Sequence, residues 1–175
     1  MANHSYPKVA QLKTLDDFRA RLKELDLDLP VDDEILTADA GSPLAEPLKI
    51  GDFTVGNRWC IHPMEGWDAN RDGSPSEHTL RRWRHFGISG AKWIWGGEAA
   101  AVQPDGRANP QQTMATGENA AGLKQLLDET TTAHQEAYDK TDDLLVGLAL
   151  TAFGCCRRPN SKQSAYASRL WPLNS

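Results

Sequence analysis

Apolar positions recur along this chain in two different periods, and the change from one to the other divides it. Near the start, Leu15, Phe18, Leu22 and Leu25 follow helical spacing behind Thr14-Leu15-Asp16-Asp17, which reads as a capping box with Asp in place of Glu. A short amphipathic helix is predicted there. The stretch from Leu27 to Glu46 is acidic and broken by Pro30, Gly41 and Pro43, so it reads as a surface-hugging linker. From Pro47 the pattern becomes strand and helix in alternation. A strand over about Arg58 to His62 stops at Pro63, because proline cannot donate to a central ladder. Ser74-Pro75-Ser76-Glu77 then opens a helix, with Ser74 read as N-cap and Pro75 as its first residue. Leu80, Trp83 and Phe86 give that helix its apolar face, and Gly87 and Gly90 close it.

A second short strand, about Lys92 to Trp95, runs into Gly96-Gly97-Glu98. A long helix follows from Glu118 to about Tyr138, carrying Leu123, Leu126, Leu127 and Ala133. Leu144 to Leu150 is nearly continuous apolar sequence, as suits a parallel strand buried on both faces. The order is β-α-β-α-β. An open dinucleotide-binding sheet would want a G-x-G-x-x-G turn into the first helix, and none is present. A closed barrel needs eight such units in roughly 250 residues, of which the pattern supplies fewer than three.

Composition narrows the function classes modestly. A net charge of −5 over 175 residues argues against nucleic acid or an anionic membrane as the main partner. The amino terminus, MANHSYPKVAQ, lacks the apolar core of a signal peptide, and Leu144 to Cys156 is too short to span a bilayer, so a cytoplasmic protein is expected. The three cysteines form neither a disulfide framework nor a CxxC site. Cys60 and His62 share one face of a strand, but no second ligand pair stands at a recognisable spacing, so strand packing is favoured over a metal.

Two motifs carry chemistry. Gly51, Asn57, Arg58, Pro63 and Met64 form one; Glu98, Ala99, Ala101, Val102, Pro104, Gly106 and Arg107 form the other, one βα unit later. In this order and spacing they resemble the amino-terminal part of the old yellow enzyme family, over roughly Pro47 to Leu150. The resemblance implies an α/β chain that is the amino-terminal portion, about three β/α units, of a (β/α)8 TIM barrel, preceded by a short helical extension. It implies FMN as cofactor, NAD(P)H as hydride donor and a small electron-poor acceptor such as an activated alkene as substrate. By position, His62, Pro63, Met64 and Glu65 fall where the family's first strand end runs along the flavin. Glu65 stands in the place usually held by Thr or Cys and is the candidate for tuning the ring. Trp67 falls where an aromatic residue often flanks the flavin, and Ala99 where a small residue lets it approach. The alternatives are a packed loop anchor for Trp67 and a small barrel residue for Ala99.

Three segments follow from this reading: 1–46 as extension, 47–150 as partial FMN-binding barrel, and 151–175 as an irregular tail. From Leu144 to Ser175 there is no Asp or Glu, although the chain carries 24. The family's Gln-Leu-x-His-x-Gly-Arg strand end is replaced by Ala149-Leu150-Thr151-Ala152-Phe153-Gly154-Cys155. A disturbed reading frame near Ala149, or a truncated product, is therefore expected, and with it an inactive fragment or non-functional remnant. A different enzyme class also fits two residues: Glu65 and Glu98 end neighbouring strands, and paired carboxylates at strand ends can serve glycoside hydrolysis.

Overall fold

The computed structural model describes residues 7–151. The chain divides into two compact units, Met1–Ser42 and Pro43–Ser175. In the first, α1 (Leu15–Glu24) starts where the sequence places it: Thr14 Oγ1 accepts from the Asp17 N–H, and the Asp17 carboxylate accepts from the Thr14 N–H, both at 3.1 Å. Arg19 reaches past the helix to the Asp33 carboxylate at 2.6 Å and the Val31 carbonyl at 3.3 Å, tying down the returning acidic segment. Leu27, Leu29, Ile35 and Leu36 remain exposed.

The second unit opens with an antiparallel hairpin, β1 (Leu48–Ile50) and β2 (Phe53–Val55), around Gly51 at φ +59°. Three parallel strands follow in the order β3 (Cys60–Ile61), β4 (Trp93–Ile94) and β6 (Leu145–Val146). The helices α2 (Glu77–Ile88) and α3 (Ala120–Tyr138) occupy the two crossovers. A second parallel pair, β5 (Ala99–Ala101) with β7 (Ala149–Thr151), continues the path of the chain beyond β4 and β6. Among the described residues this α/β arrangement holds two strand-to-helix crossovers and a third parallel strand. No described helix is long and apolar enough to cross a membrane.

Three expectations need correction, the third at Gly87 below. The N-cap of α2 is Ser76, not Ser74: Ser76 Oγ accepts from the His78 and Thr79 N–H groups. Ser74 instead donates its N–H and hydroxyl to Asp72 at 2.9 and 2.6 Å, which closes a turn before the helix. The run Leu144 to Leu150 is not one doubly buried strand. It breaks between β6 and β7, and Leu150 is 62% exposed. The break mirrors one between β4 and β5, where Gly96 turns at φ +56° so close to Ala149 that a Cβ would meet its backbone N at 2.1 Å. No other residue fits there. The tail from Ala152 onward lies outside the described residues.

Helices and sheet pack through Ile94, Trp83, Leu126 and Ala133, all nearly or fully buried. Leu126, Thr130, Ala133 and His134 line one stripe of α3 at helical spacing. Gly87 does not end α2 but lies within it, where it lets α3 approach: a Cβ would meet the Thr130 carbonyl at 2.4 Å. Gly90, at φ +82°, is the residue that redirects the chain after the Ser89 C-cap.

Candidate functional site

The chain leaves β3 through His62-Pro63-Met64-Glu65-Gly66-Trp67, and this loop crosses to the start of β5. The Ala99 N–H donates to the Met64 carbonyl at 3.1 Å, so the two sequence motifs meet in one backbone bond. His62, Met64, Glu65 and Trp67 are exposed, Met64 by 73% and Trp67 by 68%, while Pro63 is half-buried. Ala99 is nearly buried, and its carbonyl accepts from Gln112 Nε2 at 2.6 Å. All six candidate residues therefore lie at one strand end. Five of them form a partly to fully exposed rim, and the sixth, Ala99, begins the buried strand Ala99–Ala101.

An ion cluster holds this rim in place. Arg82, from α2, donates to both Asp68 oxygens at 2.9 and 2.8 Å, to Glu98 Oε2 at 2.6 Å and to the Gly97 carbonyl at 3.1 Å. Glu98 is fully buried, and its other oxygen accepts the Gly66 N–H at 2.7 Å. Asn109 donates to the Gly66 carbonyl at 3.0 Å. Gly66 is pinned on both sides, and a Cβ there would meet Arg82 at 2.6 Å and Glu98 at 2.9 Å. Asp68 is fastened further by Ser76 and Thr79, whose hydroxyls donate to its carbonyl oxygen. The helix start and the rim are thereby one construction.

The charges respond as this geometry requires. Hydrogen bonding to Arg82 holds the Asp68 carboxyl below its usual range, against the cost of burial. Burial pushes the Glu98 carboxyl up, and Arg82 and the Gly66 N–H oppose it. Arg82 itself is held protonated more firmly than an ordinary guanidinium: burial opposes this, and the two carboxylates outweigh it.

This arrangement separates the two glutamates that the sequence offered as a catalytic pair. Glu65 is exposed at the rim, whereas both Glu98 oxygens are engaged by Arg82 and Gly66. Glu98 secures the loop and has no oxygen free for general acid–base work, so the paired-carboxylate reading finds no support here. Cys60 and His62 gather no further ligand: among the described residues no group of three His, Cys, Asp or Glu could hold a metal ion. Asp68, Arg82, Asn109 and Gln112 were not singled out from sequence. The signal that could have found them is the charge of Arg82 on the sheet-facing side of α2, between Thr79 and Trp83.

No protein-family model matches the chain, and no curated protein matches it. Solved structures do resemble it. One is a 2-naphthoyl-CoA reductase in complex with 2-naphthoyl-CoA, at 19% identity and a TM-score of 0.49 over 53% of this chain and 14% of that one. A second is the old yellow enzyme from Pichia sp. AKU4542, at 18% identity and 0.49 over 57% and 25%. A third is the old yellow enzyme homologue from Zymomonas mobilis, at 24% identity and 0.47 over 62% and 28%. The chain thus spans between 14% and 28% of the length of these structures.

Proposed function

We propose that residues 47–150 form the flavin-facing amino-terminal part of a (β/α)8 barrel of old yellow enzyme type, with residues 1–46 as its extension. The activity is that of an FMN-dependent NAD(P)H oxidoreductase acting on a small electron-poor acceptor. One observation supports this above the others: the Met64 carbonyl bonded to the Ala99 N–H at 3.1 Å, which unites the two motifs of the resemblance at a single strand end.

The residues present suit part of the cofactor. Met64 and Trp67 offer exposed apolar surface for a planar ring, and Ala99, bonded to the Met64 carbonyl, adds no bulk beside them. None of the six candidate residues is a Lys or Arg that could meet a phosphate, and Arg82 is committed to two carboxylates and a carbonyl. By the resemblance, the phosphate is held by loops of later strands, which are not among the parallel strands described.

When bound, FMN would supply the two-electron exchange between nicotinamide and acceptor. The chain's own residues do the positioning. The backbone of His62 to Glu65 and the Trp67 ring would hold the group, Trp67 shielding it from water, and Glu98 with Arg82 fixes the loop before a ligand arrives. Such preorganisation removes an ordering cost from binding. Glu65 stands at the rim, where a hydrogen bond or a charge would bear on the ring.

The test is anaerobic mixing of the protein, produced on its longest natural reading frame, with NADH and with NADPH. Bleaching of a bound flavin by either is the expected result. A flavin that neither nicotinamide reduces overturns the assignment.

A further inference from the structure

At the other end of the strands lies a second buried cluster, which takes no part in the rim. His134 on α3 is fully buried. Its Nδ1 lies 2.7 Å from the Gly87 carbonyl of α2, and its Nε2 lies 2.8 Å from the Lys92 ammonium, just before β4. A carbonyl can only accept and an ammonium can only donate, so the imidazole must be neutral, with its proton on Nδ1 and its lone pair on Nε2. Lys92 also donates to Asp143 at 2.9 Å, just before β6, and the Asp143 carbonyl accepts from the Gly56 N–H at 3.0 Å. Tyr138 stacks on His134 at 4.7 Å between ring centroids and donates its hydroxyl to the Ile88 carbonyl at 2.9 Å. Two carbonyls at the end of α2 are thereby satisfied by α3 side chains, the buried one at Gly87 by His134 and the exposed one at Ile88 by Tyr138.

We propose that His134, Lys92 and Asp143 form an acid-sensitive latch that fastens α3 to α2 and to the entries of β4 and β6. A proton on Nε2 would turn the acceptor into a donor aimed at an ammonium 2.8 Å away, and the Lys92 bond would be lost. The groups that face the ring decide the sign. The entry to β4 brings Lys92, and the entry to β6 brings Asp143, with Lys140 at 3.3 Å from the second Asp143 oxygen and Asp142 beside Lys140 at 3.6 Å. The end of α2 brings the Gly87 carbonyl, and α3 brings the Tyr138 ring, whose hydroxyl is spent on the Ile88 carbonyl. Asp143 favours the charged ring, but both its oxygens are shared with Lys92 and Lys140. The carbonyl of Gly87 is served as well by the neutral tautomer. Burial, the largest cause, and Lys92 both hold the His134 imidazole below its ordinary value of 6.5, against Gly87 and Asp143. Its stabilisation is therefore present above about pH 6.5 and is lost as the pH falls from there through the folded value.

The experiment is thermal unfolding of the 175-residue chain at steps from about pH 7.5 to about pH 5, above the range where carboxylates titrate. The wild-type midpoint is expected to fall by at least about 3 °C across this range. In Lys92→Met burial still opposes a charged ring, but the ammonium is gone and an Asp143 oxygen is freed to pair with it, so the fall should shrink. In His134→Gln the fall should also vanish. A fall of equal size in the wild type and both variants would overturn the latch, as would a wild-type midpoint that does not move. Should a variant not fold, 15N NMR of the wild-type imidazole decides alone. A neutral ring protonated on Nδ1 at pH 7.5 supports the latch, and a proton on Nε2 at that pH overturns it.

Discussion

Glu98 and Arg82 meet at 2.6 Å, with Glu98 fully buried and the Arg82 side chain 27% exposed. A buried carboxylate depends on its partner, and among the described residues this one has a single cationic partner. Replacing Arg82 by Met leaves Glu98 in the interior with only the Gly66 N–H. The expected loss is about 3 kcal/mol or more, the cost of stranding a buried charge. Glu98→Gln can still accept from Gly66 and leaves Arg82 paired with Asp68, so a smaller loss of about 1–3 kcal/mol is expected. Urea unfolding of both variants checks the order, and Glu98→Gln proving the costlier change would contradict it.

Asp68 gives the same cluster a dependence on acid. Its folded pKa lies below 3.8, so its stabilisation is present above that value and is lost as the pH falls from there through the folded pKa. Asp68→Asn should be less stable than wild type at neutral pH and should flatten the decline below about pH 4. Unfolding curves for the two proteins that stay parallel from pH 6 to pH 2 would count against this.

Gly87 tests the packing of α2 on α3. Alanine is the better helix former by about 1 kcal/mol, so helix propensity alone argues for stabilisation. A Cβ at this position, however, meets the Thr130 carbonyl at 2.4 Å and Ala133 at 3.0 Å, and these belong to a packed helix that has to shift as a whole. Gly87→Ala is expected to destabilise by about 1–3 kcal/mol. The midpoint of thermal unfolding reads the sign directly.

Glu65 is exposed and Glu98 is buried, so their substitutions should separate function from folding. Glu65→Gln and Glu65→Asp should each leave stability within about 0.5 kcal/mol of wild type. On the longest natural reading frame, Glu65→Gln should leave flavin reduction largely intact, and Glu65→Asp, which withdraws the carboxyl group by one methylene, should slow it. Stopped-flow rates across pH 5 to 9 provide the check. Equal rates for all three proteins would leave Glu65 without a role.

Much of the local structure was legible in the sequence, because it rests on neighbours in the chain. The Thr14 capping box, the α2 and α3 crossovers and the parallel order of β3, β4 and β6 all follow from spacing. The N-cap was misplaced because Ser74 and Ser76 flank the same proline, and only the Asp72 turn distinguishes them. The Leu144–Leu150 run read as one strand because a glycine kink leaves hydrophobicity unchanged. The hairpin β1–β2 is written in the alternation of Leu48, Ile50, Phe53 and Val55 around Gly51-Asp52, a signal as short as its three-residue strands. At the rim, the residue order named a loop that meets the start of β5, but the Asp68–Arg82–Glu98 cluster did not show. Its members are 14 and 16 residues apart, and burial of a charge is a property of the packed chain.

On the proposed reading the 175-residue chain should hold FMN only weakly, since none of the six candidate residues is a Lys or Arg that could meet the phosphate. A flavin fluorescence titration is expected to give a dissociation constant above about 10 μM, and a tighter one would contradict that reading.

The most direct measurement for the proposed flavin site is the visible absorbance of the protein purified on its longest natural reading frame, before and after incubation with FMN and removal of the excess. A retained flavin chromophore, diminished when Trp67 is changed to Ala while thermal stability is kept, is the expected result. Colourless protein that retains no flavin after incubation would contradict the assignment.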